Sequence, residues 1–467
     1  MKKNNGLNLV EPRITPVLDE AFRPAVLANH AFRDAVHTSQ AAVPVELGLE
    51  QADGSVFRFK TKVLPEKHPE AKGNFTFIER TAKFLLWSRG GWRIYFDGPK
   101  ALGEELKKHY AETPTGKFDS DIIGTRIHDH PIEVVITGDI PPEHSNTMPL
   151  GRHLKGCRIG FDLGGSDRKV AAVIDGKVVF SEEVVWDPYF EKDPRYHYDG
   201  VMASLREAAK HMPRVDGIGG SAAGVYVNNR VKVASLFRGI SPELFQSKVR
   251  DMFLDIQKEM GGVPFEIVND GEVTALAGAM SLGQNGVLGI SLGTSTAGGY
   301  VNMEGNITSW LNELAFVPVD YNPHAPVDEW SGDYGCGVQY FSQQAVGRLL
   351  KPAEIEVDEK LPLPEKLKHV QALMTNGDER ARKIYETIGT YLGYAVAHYA
   401  DFYDFKNVLI LGRVTSGAGG DLIIAVAREV LKTEFLELSK RVAFHVPDEK
   451  DKRHGQAIAA ASLPKLK

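Results

Sequence analysis

The sequence predicts an α/β fold that follows an N-terminal module of mixed helices and strands. Two observations support the α/β class: strands alternate with longer helical patterns from Arg158 onward, and a strand, a glycine turn and a returning strand occur twice. A third observation divides the chain, since residues 140–156 are rich in Pro, Gly, Ser and Asn, as exposed linkers are. We therefore expect an α+β module over residues 1–150 and an α/β region over residues 156–467.

Composition narrows the possible classes of protein. Of the 467 residues, 43% are apolar and 25% are charged, which is ordinary for a globular protein. The formal net charge of −6 argues against a nucleic-acid binder with a basic surface. With Cys157 and Cys336 alone, neither a disulfide framework nor a four-cysteine zinc site is expected. No apolar run reaches the roughly 20 residues of a membrane span, and no apolar segment follows the basic start, so we expect a cytoplasmic protein without a membrane partner.

Within the N-terminal module, short patterns predict both strands and helices. Residues 84–87 and 92–96 are β-prone runs around residues 88–91, which predicts a hairpin. Pro99 opens a helical pattern that continues to Tyr110, and residues 132–136 predict another strand. The module is almost neutral and has no convincing helix-turn-helix pair, so we expect no nucleic-acid partner.

The α/β region consists of strand pairs separated by helices and glycine turns. Its predicted strands cover residues 158–163, 169–174, 177–180, 215–219, 265–268, 287–291, 297–302 and 407–411. Its predicted helices cover residues 201–210 and 380–405.

Several common catalytic motifs are absent or incomplete. The sequence GxxxxGK[ST] does not occur, which excludes a P-loop NTPase, and HExxH is also missing. Ser221 and Ser295 lack the final glycine of a nucleophile elbow. Residues 217–222 fit GxGxxA, but the acidic residue expected about 20 positions later is missing, so a dinucleotide-binding fold is not predicted.

Three glycine-rich turns, each behind an apolar strand, are the strongest functional signal. They occupy residues 162–166, 292–299 and 411–417. Glycine lets backbone N–H groups approach phosphate oxygens, and Ser or Thr hydroxyls add donors. A carboxylate at a strand end, such as Asp162, can hold Mg²⁺ through water. One such turn is more often an ordinary turn, but three in this order favour a nucleotide site.

These motifs resemble those of the ROK sugar kinases of the actin-like ATPase superfamily. Residues 162–166 resemble the first phosphate motif, DxGGT, residues 292–299 the second, and residues 407–412 the strand and turn on the adenosine side. Val268-Asn269-Asp270 matches the pair that carries the catalytic aspartate, and Gly455-Gln456-Ala457 resembles the C-terminal helix. The resemblance covers residues 156–467 and implies a two-lobed actin-like ATPase (ribonuclease H-like) fold, ATP and Mg²⁺ as cofactors, and a homodimer.

The resemblance also implies roles for individual residues. Asp270 is the expected general base, Asn269 and Glu313 are expected to bind the acceptor, and Asp162 is expected to position Mg²⁺ through water. The expected nucleotide-binding residues are Gly164, Gly165, Ser166, Gly293, Thr294 and Gly412. From the residues alone, Asn269 and Asp270 could equally cap a helix that starts near Glu272, and this role is compatible with catalysis.

The chain departs from the family pattern on the acceptor side. Against the family's GExGH motif, Glu313 is kept and Phe316 stands in place of the histidine. Against the zinc motif, only Cys336 matches, and Val338 replaces a sugar-contacting glutamate. We therefore expect no zinc. Four side chains of the following loop could replace the lost contacts, or they could simply face water. They are His324, Asp328, Trp330 and Asp333.

The sequence thus predicts ATP-dependent phosphoryl transfer to a hydroxyl of a sugar or sugar-like small molecule. The alternative is a catalytically weak sugar- or nucleotide-binding sensor or scaffold of the same fold. The lost acceptor contacts favour the sensor, whereas the retained Asp162, Asp270 and Thr294 favour the kinase. A ROK-type repressor is disfavoured by the near-neutral module, and a reductase activator with an iron–sulfur cluster by the two distant cysteines.

Overall fold

The N-terminal module is built on a four-stranded sheet. The computed structural model describes residues 6–146, 149–446 and 449–466, so residues 147 and 148 of the predicted linker, the basic N-terminal start and Lys467 lie outside the described residues. The module's elements are α1 (Ala25–Thr38), β1 (Val43–Glu50), β2 (Val56–Val63), α2 (Asn74–Arg89), β3 (Arg93–Asp97), α3 (Lys100–Glu112), α4 (Pro114–Asp119) with a π-helical continuation (Ser120–Ile127), and β4 (Glu133–Ile136). The sheet order is β2-β1-β3-β4, with β4 parallel to β3.

The predicted hairpin over residues 84–96 is wrong in its first half. Residues 84–87 belong to α2, and only β3 is a strand. The reason is that α2 is buried on all sides from Phe77 to Arg89, so its apolar run has no exposed face to reveal the helical period. The helix predicted after Pro99 and the strand near residue 133 are confirmed as α3 and β4.

The first lobe contains a five-stranded sheet. The strands of this sheet are β5 (Cys157–Leu163), β6 (Asp167–Ile174), β7 (Lys177–Val185), β8 (Gly217–Ala222) and β11 (Phe265–Asn269). The lobe also has a separate pair of short strands, β9 (Val225–Val227) and β10 (Arg230–Val233). Its helices are α5 (Pro194–Ala209), α6 (Pro242–Leu244), α7 (Met252–Glu259) and α8 (Asp270–Leu282). The order is β11-β8-β5-β6-β7, in which β5, β8 and β11 are parallel and β6 and β7 antiparallel to their neighbours.

The second lobe repeats this plan with four strands. They are β12 (Val287–Leu292), β13 (Thr296–Val301), β14 (Asn407–Leu411) and β15 (Ala443–His445), in the order β13-β12-β14-β15. Its helices are α9 (Val338–Phe341), α10 (Gln343–Leu349), α11 (Leu363–Thr375), α12 (Glu379–Ala400), α13 (Ala418–Glu434) and α14 (Leu436–Arg441). The last helix, α15 (Glu449–Ala461), returns to the first lobe and packs on β5, β6 and β8. In both lobes a central strand is followed by an antiparallel partner across a glycine turn, so the predicted repeat of strand, turn and returning strand is confirmed.

One hydrophobic core joins the N-terminal module to the second lobe. Phe84 stacks on Phe402 with ring centroids 4.0 Å apart, and Phe22 meets Tyr391 at 4.8 Å. The first lobe has its own core between its sheet, α5 and α7. The core of the module therefore crosses the boundary near residue 150, and the division into domains at 1–150 and 156–467 stays a prediction.

None of the helices in the described part of the chain is long and apolar enough to cross a membrane.

Candidate active site

The first two predicted phosphate turns occupy equivalent places in the two lobes. Residues 164–166 join β5 to β6, and residues 293–295 join β12 to β13. Within the described residues, Gly165 and Thr294 make no hydrogen bond, and the Ser166 and Thr294 side chains are exposed. The Ser166 hydroxyl donates to Asp167 at 3.0 Å, whereas the N–H of Gly165 and the N–H and hydroxyl of Thr294 are open to bind phosphate oxygens.

The third turn lies directly against the second. Gly412 follows β14 with φ of +97°, a conformation that favours glycine. A Cβ atom at this position would lie only 2.4 Å from the carbonyl oxygen of Leu292, at the end of β12. The pairing of β12 with β14 thus brings the second and third predicted nucleotide turns together.

Asp162 lies near the carboxyl end of β5, opposite Ser221 on β8. The Ser221 hydroxyl donates to Asp162 Oδ1 at 2.7 Å. Burial raises the pKa of Asp162, while the Ser221 hydrogen bond and the charge of Lys169 act in the opposite direction. A carboxylate oriented by a hydroxyl at a strand end is of the kind that holds Mg²⁺ through water.

Asp270 lies where the two lobes meet. It is the first residue of α8 and follows β11 directly. Helix α8 can pack closely on β13 because Gly271 has no side chain. A Cβ atom at Gly271 would lie 2.5 Å from the carbonyl oxygen of Gly298 in β13. Burial, together with the nearby charge of Asp162, raises the pKa of Asp270 to about 6. A carboxyl with such a pKa can accept a proton near neutral pH.

Asn269 caps α8, as one of the two predicted interpretations requires. Its Oδ1 accepts from the N–H of Gly271 at 2.7 Å, and its Nδ2 donates to the carbonyl oxygen of Gly224 at 2.8 Å. The Asn269 side chain therefore fixes α8 to the loop between β8 and β9, and Asp270 next to it has a defined position.

Glu313 is held near Asp270 by the end of α2. The N–H of Glu313 donates to the carbonyl oxygen of Trp87 at 2.9 Å, and that of Asn312 to Ser88 at 3.0 Å. Burial, with the charge of Asp270, raises the pKa of Glu313 to about 7. The N-terminal module thus positions the segment that carries a predicted acceptor residue.

A buried hydrogen-bond chain links the same segment to α8. The Asn312 side chain donates to Glu272 in the first turn of α8, and the hydroxyl of Tyr403 donates to Asn312 Oδ1 at 2.8 Å. Glu272 is 5% exposed, and burial raises its pKa to about 8, so it is protonated at neutral pH. This hydrogen-bond chain fixes the segment that carries Glu313 relative to the start of α8, where Asp270 lies.

Aromatic packing occupies the position where the family has its histidine. Phe316 contacts Trp87 with ring centroids 4.3 Å apart and Trp330 at 5.4 Å. Val338, at the position of the family's glutamate, is 3% exposed. The N-terminal module therefore supplies, through Trp87, an apolar contact to the residue at this position.

Cys336 lies beside a cluster of buried ion pairs. Its Sγ contacts the carbonyl oxygen of Asp333 at 3.7 Å, and burial together with the Asp333 charge raises its pKa to about 12. Lys83 of α2 pairs with Asp333 at 3.0 Å and with Asp119 at 3.1 Å, and Arg80 pairs with Asp333 at 2.9 Å. Among the described residues, no group of three or more His, Cys, Asp or Glu side chains could hold a metal ion. The expected absence of zinc stays a prediction.

The loop residues considered as replacement contacts have mixed positions. Asp328 accepts from the Ser331 hydroxyl at 2.6 Å, and Asp333 belongs to the ion-pair cluster, so both carboxylates have protein partners. Trp330 is 57% exposed, and His324 is also exposed. The two buried carboxylates therefore lie in one hydrogen-bonded turn, whereas Trp330 and His324 face solvent.

A cavity of about 320 Å³ extends from Asn269 toward the N-terminal module. Tyr226 and Glu272 line it, and Asp270 lies near its end, because the Asp270 charge acts on Tyr226. Glu266 of β11 also lines it and was missed by the sequence reasoning. The available signal was a charged residue inside the otherwise apolar run Phe-Glu-Ile-Val.

The chain is similar to known proteins in sequence pattern and in fold. A family model described as the ROK family matches residues 158–464. The ROK hexokinase from Thermus thermophilus has a TM-score of 0.51 at 19% identity, covering 65% of this chain and 96% of its own. A ROK family transcriptional regulator, a homologue of the E. coli MLC protein, has a TM-score of 0.50 at 18% identity, covering 66% and 79%. A ROK family glucokinase from Streptomyces griseus, in complex with glucose and AMPPNP, has a TM-score of 0.48 at 20% identity, covering 66% and 98%.

No curated protein matches the chain. The first two structures share the fold of this chain, so the predicted two-lobed actin-like ATPase fold with an additional N-terminal region is confirmed. The family model spans well over half of the sequence, and the chain therefore belongs to the ROK family.

Proposed function

We propose that the protein transfers the terminal phosphoryl group of ATP to a hydroxyl of a sugar or sugar-like acceptor. The observation that carries this proposal is the place of Asp270, a half-buried carboxyl with a pKa raised to about 6 at the junction of the two lobes. The fold is shared with a hexokinase, which adds support from the family.

Asp270 acts as the general base in this proposal. Phosphoryl transfer needs the acceptor oxygen, the transferred group and the leaving oxygen in line, with a group that takes the acceptor proton. Burial and the neighbouring Asp162 give Asp270 the proton affinity for that task. The cap formed by Asn269 keeps its backbone in place.

The glycine turns bind the nucleotide. The residues that would hold its phosphates are Gly164, Gly165, Ser166, Gly293 and Thr294, and Gly412 would lie on the adenosine side. The open donors of Gly165 and Thr294 fit phosphate oxygens, and the Asp162 carboxylate fits a hydrated Mg²⁺. When bound, Mg²⁺ supplies positive charge that offsets the charge of the phosphates.

Asn269 and Glu313 form the acceptor side. The carbonyl side of the Asn269 amide still has a lone pair beyond its bond to Gly271, because an amide oxygen accepts two hydrogen bonds. Glu313, with a pKa near 7, can accept from or donate to a hydroxyl.

The test is ADP release from Mg-ATP over a panel of hexoses, N-acetylhexosamines, polyols and disaccharides. We expect turnover on at least one acceptor and a 10²- to 10⁴-fold (order of magnitude) loss in Asp270→Asn, the range that a general base contributes. Asp199→Asn, an exposed change on α5, is the matched control and should keep full activity. Equal activity in Asp270→Asn would refute the base assignment.

A sensor or scaffold of the same fold is the second candidate. The buried Phe316 and Val338 at family sugar-contact positions favour it, as does the shared fold with a ROK transcriptional regulator. The two candidates separate on one result: a sensor binds ATP or a sugar, and its ADP release does not exceed that of Asp270→Asn with any acceptor.

A further inference from the structure

The cavity beside Asn269 is enclosed by three parts of the chain. The N-terminal module contributes Gln51 and Asp53, the first lobe Glu266, and the second lobe Ser309 and Trp310. A second cavity of about 500 Å³ lies on the other side of a wall that includes Gln51, Ser309 and Trp310. Cavities of this size are typical of sites for small molecules.

The walls are held in place by bonds among themselves. Gln51 donates to the carbonyl oxygen of Arg89 at 2.6 Å and accepts from the Ser309 hydroxyl at 3.3 Å. Trp310 lies between the ring of Tyr300, at 5.0 Å, and the guanidinium of Arg89, at 3.3 Å. The wall is therefore formed before any ligand arrives.

Ion pairs fix the module to the first lobe at the side of the cavity. Asp129 follows the wall residue His128 and pairs with Lys232 at 2.6 Å and Arg250 at 2.8 Å. The module also shares its core with the second lobe. The width of the cavity is consequently set by the N-terminal module.

Glu266 is the unpartnered polar group of this cavity. Its carboxyl is half-buried, and it makes no hydrogen bond or ion pair with any described residue. Asp53, on the wall that the N-terminal module forms, is exposed and uses Oδ1 for the N–H of Ser55 at 2.8 Å; among the described residues it makes no salt bridge. Carboxylates without counter-cations, in a wall rich in amides and hydroxyls, suit a ligand that offers several hydroxyl donors.

We propose that this cavity is the distal part of the acceptor site and that it takes the second unit of a disaccharide or other glycoside, whose hydroxyls bind to Glu266. The phosphorylated unit lies at the Asn269 end, next to Asp270. This inference rests on the proposed function for the phosphoryl transfer, but the binding of the second unit is tested without it. The N-terminal module thereby selects the acceptor, because it forms the far wall.

The experiment measures binding and turnover separately at pH 8. Maltose, cellobiose and lactose are titrated into the full chain without ATP, with Trp fluorescence as the readout and Trp310→Phe to identify the responding residue. Glu266→Gln is expected to weaken disaccharide binding, and to raise the disaccharide KM, about 10-fold with kcat unchanged, because charge-assisted hydrogen bonds are roughly twice as strong as neutral ones. Glucose and mannose are expected to be unaffected, and Glu182→Gln, an exposed change on β7, should behave like the unchanged chain.

The outcomes are distinguishable. Equal effects of Glu266→Gln on monosaccharides and disaccharides, or no effect on either, overturn the inference while the kinase proposal stands. Disaccharide binding weakened by Glu266→Gln, without ADP release on any acceptor, supports the inference and refutes the kinase. Asp53→Asn, an exposed change on the opposite wall, should weaken disaccharide binding in the same direction and serves if Glu266→Gln does not fold.

Discussion

Replacing Asp270 by Asn should reduce turnover by about 10²- to 10⁴-fold and, above pH 6, stabilise the protein. The folded chain holds the Asp270 pKa at about 6, against 3.8 ordinarily, because burial and Asp162 disfavour the charge. A raised pKa means that the folded state binds the proton more tightly than the unfolded state, so its contribution is full below pH 3.8 and is lost as pH rises through 6. Asn cannot ionise, so it avoids that loss.

The size of the expected gain in the free energy of unfolding follows from the shift in the Asp270 pKa. About two pKa units at 1.36 kcal/mol each give roughly 3 kcal/mol as an upper figure, and partial solvent access to the carboxyl reduces the expected gain to about 1–3 kcal/mol. In the unchanged protein the N–H of Gly271 donates to Asp270 Oδ1 at 3.0 Å. The side-chain oxygen of Asn can accept the same hydrogen bond, so this contact at the start of α8 is retained. The gain is therefore electrostatic and depends on pH.

The assay is urea unfolding of the unchanged chain and of Asp270→Asn at pH 4.5 and pH 7.5. The stability gain should be larger at pH 7.5, and the control Asp199→Asn should show no such difference. Asp378→Ala tests a carboxyl whose pKa is lowered instead of raised. Hydrogen bonds from Arg380 lower the Asp378 pKa to about 2, so removal of this carboxyl should destabilise the protein at pH 7.5. A gain for Asp270→Asn that is equal at both pH values would refute the electrostatic reasoning.

Four further results are expected. kcat/KM should rise tenfold per pH unit below about pH 6 and level off above it, as measured by ADP release from pH 5 to 8, since Asp270 must be deprotonated; a flat profile would contradict a base with this pKa. Glu272→Gln should keep activity because its amide oxygen still accepts from the Asn312 side chain, whereas Glu272→Ala should cost about 1–3 kcal/mol in unfolding and reduce kcat; equal behaviour of the two variants would refute the hydrogen-bond chain. Trp87→Ala should cost about 3–5 kcal/mol of stability and raise the acceptor KM, and an unchanged KM in the folded variant would show that this packing does not shape the acceptor side. Metal analysis should find no stoichiometric zinc in the purified protein, and EDTA should stop turnover until Mg²⁺ is restored; stoichiometric zinc would refute the metal prediction.

The α/β region was predictable because its signals are local. Each central strand, such as β5, is a short apolar run that ends in a glycine turn, and that pattern reports the backbone directly. The capping signal at Asn269 is equally local, since the side chain bonds within two residues. The lobes and their turns could therefore be read from consecutive residues.

The rest of the site depends on contacts between distant residues. Helix α2 was misread because its burial comes from packing on the second lobe, which no local window contains. The raised pKa of Glu272 arises from burial, against the hydrogen bond from Asn312. The exposure of Glu266 to a cavity arises from residues near position 50. No sequence period reveals such surroundings.

The core that joins the N-terminal module to the second lobe has a consequence for synthesis of the chain. Asp19 accepts from the hydroxyl of Tyr391 at 2.5 Å, across 372 residues of sequence. At about 5–20 residues per second, a ribosome needs roughly 20–75 s to add that length. During this interval Phe22 and Phe84 cannot bury their rings against Tyr391 and Phe402, because those residues have not yet been synthesised. We therefore expect the nascent module to expose part of its apolar surface until the second lobe is synthesised, and slower translation to prolong that exposure.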